Sequence, residues 1–263
     1  VEPVLAHPGT ADMAELKKLL EGAERPFVML GGSGWDNQSV ADMQAFAEKN
    51  NLGISVSFRC QDRFNNNHPN YIGDMGIGAN PKLVKRMQDA DVILVLGPRL
   101  GEMTTGGYER LSVPVPSQTL IHMHQGAEEL GRVYQPDLAI NATPQTIAPL
   151  LKDMELAGSD KWTGQTAEAR ADFEAWTTPN ENPGNVQVAK LYEHMREVLP
   201  EDSIFCNGAG NYAAWLHRFY RYRAFPTQLA PTSGAMGYGV PAAIAAKIVH
   251  PEKTVIACAG DGC

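Results

Sequence analysis

Several protein classes are excluded by what this sequence lacks. No run of about eighteen consecutive apolar residues occurs anywhere in its 263 residues, so no membrane-spanning helix is expected. No basic stripe is present: 22 Lys and Arg stand against 30 Asp and Glu, a formal charge of −8, which argues against nucleic acid as a partner. Charged residues are only 20% of the chain and hydrophobic ones 43%, too apolar for intrinsic disorder. Cys60, Cys206, Cys258 and Cys263 form no Cys-x-x-Cys pair, which removes a zinc knuckle and a disulfide framework. There is no initiator Met and no charged-then-apolar leader. The expectation is a reduced, cytoplasmic protein. Because the chain stops straight after an apolar run, it reads as a fragment with sequence missing at both ends.

What is present is a run of short apolar segments alternating with helical periodicity. Residues 26–30, 53–58, 91–97, 119–124 and 137–140 read as buried strands, and residues 11–22, 37–50, 81–88 and 144–155 as helices between them. Segments 59–79 and 98–117 are rich in Asn, Gly and Pro and read as loops. Continuous apolar strands alternating with helices predict an α/β fold whose parallel sheet is covered on both faces, with ligands collecting after the strands. Residues 1–155 are assigned to a Rossmann-like domain and 156–184 to a linker holding a polar helix at about 160–176. Residues 185–263 form the first part of a second α/β domain, with strands at 203–206 and 253–259.

Two features carry chemistry. The last strand ends in Gly260-Asp261-Gly262, which delivers a carboxylate to a ligand edge between two glycines that let backbone approach an anion. A lone carboxylate there suits Mg²⁺, which takes one or two carboxylates plus phosphate oxygens; a tight turn with no ligand would look the same. Upstream stands Thr232-Ser233-Gly234-Ala235-Met236-Gly237-Tyr238-Gly239-Val240-Pro241, followed by an Ala-rich helix. Together the two resemble the diphosphate domain of thiamine-diphosphate-dependent enzymes, most closely the acetolactate synthase large-subunit group, and the resemblance runs over nearly the whole chain.

That resemblance implies a cofactor pair, thiamine diphosphate and Mg²⁺, and a reaction on a pyruvate-like 2-oxo acid: decarboxylation, then addition of the remaining unit to a second carbonyl compound. It implies that Asp261 is the metal ligand and that Gly260 and Gly262 shape its turn. Met236 would wedge between the two cofactor rings, the residue nearest to catalysis in this chain, and the Gly234 carbonyl would accept from the aminopyrimidine. Ala209, Gly210, Asn211 and Tyr212 match the turn and helix start that meet the diphosphate, although the group shows Gln-His where this chain has Asn211-Tyr212. In the first domain Gly31, Gly32, Ser33, Gly97 and Arg99 follow strands and are candidates for an FAD site, which the resembled synthases hold structurally. The acidic residues those synthases show near the adenosine end are here His122-Met123-His124-Gln125 and Asn141-Ala142.

The resemblance further implies a homodimer or homotetramer, and an activating Glu and a second metal ligand lying outside the chain, so that this fragment alone is inactive. Sister decarboxylases, an oxalyl-CoA decarboxylase and a glyoxylate carboligase share the motifs, and a nucleotide-binding regulatory module is the non-enzymatic alternative. His122 and His124 share a strand face without a third ligand and read as packing residues. Arg218-Phe219-Tyr220-Arg221-Tyr222-Arg223 reads as a domain or subunit contact rather than an RNA site.

Overall fold

The apolar runs pair with one another as strands, all of them parallel. In the computed structural model, which describes residues 4–261, the first sheet contains β1 (Pro26–Leu30), β2 (Ile54–Val56), β3 (Tyr71–Asp74), β4 (Val92–Leu96), β5 (Thr119–His124) and β6 (Leu138–Asn141), in the order β3-β2-β1-β4-β5-β6. The second contains β7 (Ile204–Asn207), β8 (Gln228–Leu229) and β9 (Val255–Cys258), in the order β8-β7-β9. Helices α1 (Thr10–Glu21), α2 (Asn37–Lys49), α3 (Pro81–Asp89), α4 (Glu102–Thr105), α5 (Pro144–Asp153) and α6 (Thr163–Thr177) accompany the first sheet. Helices α7 (Val188–Val198), α8 (Tyr212–Phe219) and α9 (Gly239–Val249) accompany the second. No helix of the described residues is long and apolar enough to cross a membrane.

Strand alternation sorts the two faces. Val28, Leu30, Leu94 and Leu96 meet α1, α2 and α5 through Leu16, Phe46 and Ile147. Their neighbours Phe27, Met29, Ile93 and Val95 point the other way, onto Leu83 and Met87 of α3 and Ala169 of α6. Every residue of β4 is buried, as a central strand covered on both sides must be. The second sheet repeats the plan: α7 and α8 cover one face through Tyr192, Leu216 and Phe219, and α9 covers the other through Ala243 and Ala246.

The structure departs from the sequence reading at two strands. The segment 59–79 contains β3, whose Tyr-Ile-Gly-Asp composition has no apolar run; pairing with β2 makes it a strand, through a register irregularity at Ile54/Ser55. Strand β8 is two residues long, too short for any periodicity, and exists because it pairs with β7. The polar helix inside 156–184 forms as α6, but it packs on the first sheet rather than standing free.

His122 and His124 sit with their rings 6.2 Å apart, and His122 Nε2 contacts the Pro98 carbonyl oxygen at 3.0 Å. Burial holds the His122 imidazole down to about 4 from its ordinary 6.5. The unfolded chain therefore takes up a proton that the folded one refuses once pH falls below 6.5, and stability is lost from there down to about 4. At about pH 5 this costs roughly 2 kcal/mol. His122→Gln is expected to flatten that acid loss while leaving neutral-pH stability within about 1 kcal/mol, measured by denaturant unfolding at the two pH values.

Candidate functional site

β7 and β9 lie side by side, Asn207 in register with Cys258, so their carboxyl ends open onto one edge. From β7 the chain turns through Gly208, Ala209 and Gly210 to Asn211 and enters α8 at Tyr212. From β9 it runs through Ala259 and Gly260 to an exposed Asp261. The turns meet at one aromatic ring: a Cβ on Gly260 would lie 3.3 Å from the Tyr212 ring, and the Gly208 N–H donates to Tyr212 Oη at 3.0 Å. The start of α8 therefore stands beside the Gly260 turn that leads to Asp261, a helix N-terminus that suits an anion next to a carboxylate that suits a cation. Gly262 lies outside the described residues.

The third part of the site is the loop before α9. Gly234 and Gly237 take φ of +74° and +76°, and Met236 between them is 65% exposed. Both ends of this loop are anchored. The Gly234 N–H donates to the Pro231 carbonyl oxygen at 3.1 Å. At the far end, a Cβ on Gly239 would fall 2.8 Å from the Gly208 nitrogen, so α9 starts against the β7 turn only because that residue has no side chain. Gly234 and Met236 thus join Ala209, Gly210, Asn211, Tyr212, Gly260 and Asp261 around one edge.

The other five candidates collect elsewhere. The strand order of the first sheet reverses direction between β1 and β4, and a cavity of about 600 Å³ opens at the carboxyl ends there. Gly32, Ser33, Gly97 and Arg99 line it. Gly31 and Gly32 owe their bareness to the protein: a Cβ on either would fall 2.0 Å from Ser57 Oγ or the Gly97 carbonyl oxygen respectively. Ser33 Oγ accepts from Gln125 Nε2 at 2.7 Å, and Arg99 pairs with Glu129 at 2.9 Å.

The cavity and the edge are neighbours because the loop after β2 joins the second unit. Buried Arg59 donates through Nη1 to the Pro231 carbonyl and through Nη2 to the Gly208 carbonyl, the latter at 2.9 Å. Asp62 Oδ2 accepts from the Thr227 and Gln228 N–H groups, each at 3.0 Å. His217 of α8 packs its ring edge-on to Phe58, and burial, aided by the Arg59 charge, holds its imidazole down to about 3. No motif marks Arg59, Asp62 or His217 in the sequence; they emerge only when the two sheets meet. The run Arg218 to Arg223 is a contact between units: the Arg218 guanidinium lies 3.7 Å from the Trp176 ring centroid, and Arg221 pairs with Glu174.

The residues present fit a magnesium diphosphate in part. Glycines keep the edge open, and Asp261 is a lone carboxylate. Among the described residues no group of three His, Cys, Asp or Glu could hold a metal ion. Asn207 Oδ1, buried at the end of β7, has no hydrogen-bond partner; as an acceptor it suits a cation or an N–H donor, not a phosphate oxygen.

Comparison with known proteins agrees with this geometry. The family model described as thiamine pyrophosphate enzyme, central domain, matches residues 13–151, and that described as thiamine pyrophosphate enzyme, C-terminal TPP binding domain, matches residues 208–263. The acetolactate synthase large subunit of Corynebacterium glutamicum is 25% identical over 264 residues, 97% of this chain and 41% of that protein. The acetolactate synthase isozyme 2 large subunit of Escherichia coli is 23% identical over 255 residues, 96% of this chain and 45% of that protein. Sulfoacetaldehyde acetyltransferase of Castellaniella defragrans is 25% identical over 287 residues, 99% of this chain and 48% of that protein. The chain spans less than half the length of these relatives.

Gly239→Ala tests the close approach at the edge. The added methyl must displace the β7 turn or the start of α9, and the affinity for thiamine diphosphate with Mg²⁺ is expected to fall at least about tenfold, read by calorimetric titration. Thermal unfolding of the free variant checks that it folds.

Proposed function

The chain belongs to the thiamine pyrophosphate enzymes, and from that premise we propose that the protein is a thiamine-diphosphate- and Mg²⁺-dependent carboligase of 2-oxo acids resembling acetolactate synthase. The observation that carries this reading is the single edge at which the Gly208–Tyr212 turn, the Met236 loop and Asp261 converge. The bound cofactor supplies an electron sink for decarboxylation of a 2-oxo acid. The chain's own residues bind and orient it. Asp261 would ligate Mg²⁺, the α8 start and the turn would receive the diphosphate, and exposed Met236 would pack between the cofactor rings and hold them folded. Folding is proximity chemistry: an internal base must reach the proton it removes. The boundaries 1–155, 156–184 and 185–263 belong to the same proposal. So does a homodimer or homotetramer.

A second reading concerns the cavity of the first sheet. Its place at the strand-order reversal favours a dinucleotide such as FAD, received by Gly32, Ser33, Gly97 and Arg99. Where the resembled synthases carry acidic groups, this cavity has His124, so the adenosine end would be held differently. A flavin absorbance spectrum of the purified protein that vanishes after denaturation and filtration is the expected result; its absence would leave the cavity to a smaller nucleotide.

The activity itself is tested on the full-length protein given pyruvate, Mg²⁺ and thiamine diphosphate. Acetolactate is expected by mass spectrometry, and Asp261→Ala is expected to remove it by at least about a hundredfold. Carbon dioxide or aldehyde without acetolactate would move the assignment to a decarboxylase. The match to an acetyltransferase makes other two-carbon acceptors the next substrates to try.

A further inference from the structure

Arg59 stands out as a charge with no answer. It is 7% exposed, and its hydrogen bonds go to two backbone carbonyls rather than to a carboxylate. Its Nε is buried without a hydrogen-bond partner, and the Phe58 ring lies 4.8 Å from the guanidinium carbon. Its backbone sits at φ +58°, a left-handed conformation that a residue with a side chain keeps only where the surroundings impose it. A residue kept only for stability would not be chosen this way, since an apolar side chain of similar size spares the desolvation of a buried cation.

Its two acceptors explain it. The Pro231 carbonyl oxygen also accepts from the Gly234 N–H at 3.1 Å, and the Gly208 carbonyl oxygen also accepts from Asn207 Nδ2 at 2.8 Å. Neither carbonyl needs Arg59 to be satisfied. What the guanidinium adds is the relation between them: two donors on one rigid plane hold two carbonyls at one separation. One carbonyl closes the turn that leads to Met236, and the other belongs to the turn that enters α8. We propose that Arg59 is a positioning residue, reaching from the first sheet to clamp the two cofactor-facing loops of the second in their receiving geometry before the cofactor arrives. The inference rests on the reading of this edge as the thiamine diphosphate site.

Preorganisation of this kind appears in binding: if the receiving arrangement is less populated without the clamp, the apparent dissociation constant rises by that factor. The test uses the full-length protein and its Arg59→Met and Arg59→Lys variants, with three readouts. The first is the Kd for thiamine diphosphate with Mg²⁺ by calorimetry, the second the Tm of the cofactor-free protein, and the third amide exchange of residues 232–239 without cofactor. For Arg59→Met we expect Kd to rise about 10- to 100-fold, exchange in the loop to quicken, and Tm to hold or rise as the buried charge is removed. Arg59→Lys keeps the charge without the fork and is expected to behave like Met rather than like Arg. Wild-type affinity and wild-type loop exchange in both variants would overturn the proposal, as would a loss of Tm with Kd unchanged, since that marks a purely structural residue. If Arg59→Met does not fold, Arg59→Lys carries the same comparison. Absence of thiamine diphosphate binding by the wild-type protein would instead remove the cofactor reading on which the proposal rests.

Discussion

The join between the two sheets is centred on one buried carboxylate. Asp62 stands just after β2 and accepts the backbone N–H groups of Thr227 and Gln228, where β8 begins. The neighbouring Gln61 and Gln228 side chains bond reciprocally, Gln228 Nε2 donating to Gln61 Oε1 and the Gln61 N–H to Gln228 Oε1. β8 in turn pairs with β7, so the orientation of the second sheet relative to the first passes through this short stretch. Burial pushes the Asp62 carboxyl above the ordinary range, while Arg63 and the two backbone donors oppose it. A carboxylate that accepts two N–H groups and an arginine can remain inside where an unpaired one could not.

From that join follows the meeting of two ligand edges. Each sheet is parallel, so each opens at the carboxyl ends of its strands, and an edge of that kind collects ligands wherever it occurs. Two independent domains could present those edges in any relation. Here the loop after β2 belongs to both: Arg59 and Arg63 line the first sheet's cavity while Arg59 bonds the second sheet's turns. Thr232 and Tyr238, from the loop that carries Met236, close the same cavity from the other side.

Much of this was legible in the sequence, and the illegible remainder has a common cause. Strands such as 92–96 and 204–206 announce themselves because burial on both faces demands an unbroken apolar run. The turn at Gly208–Tyr212 and the Gly260-Asp261 end were also readable, because close backbone approach leaves glycines behind as a local trace. β3 and β8 left none: Tyr71–Asp74 and Gln228–Leu229 become strands by pairing with partners distant in sequence. Arg59, Asp62 and His217 were invisible for the same reason, since each is placed by a contact between units and not by a pattern along the chain. The glycines at 31 and 32 carry a second constraint that the sequence does not show: their missing side chains make room for Ser57 and Gly97.

The substitution of Asn211-Tyr212 for the Gln-His of the acetolactate synthase pattern bears on what this half of the site can decide. Tyr212 works inside the protein: its oxygen accepts the Gly208 N–H, and its ring lies against both Gly210 and Gly260. It is a strut between the two turns, and it leaves recognition of an anion to the backbone N–H groups at the start of α8. Backbone donors read a diphosphate by shape and charge and carry no information about the rest of the ligand. On the proposed reading, an edge built this way would select a cofactor class without reading which 2-oxo acid the cofactor meets. Discrimination among acids must then come from side chains that touch the substrate. Met236, which the proposed function sets against the cofactor rings, is apolar and exposed; it would add contact area without a hydrogen bond, and contact of that kind separates related substrates only weakly.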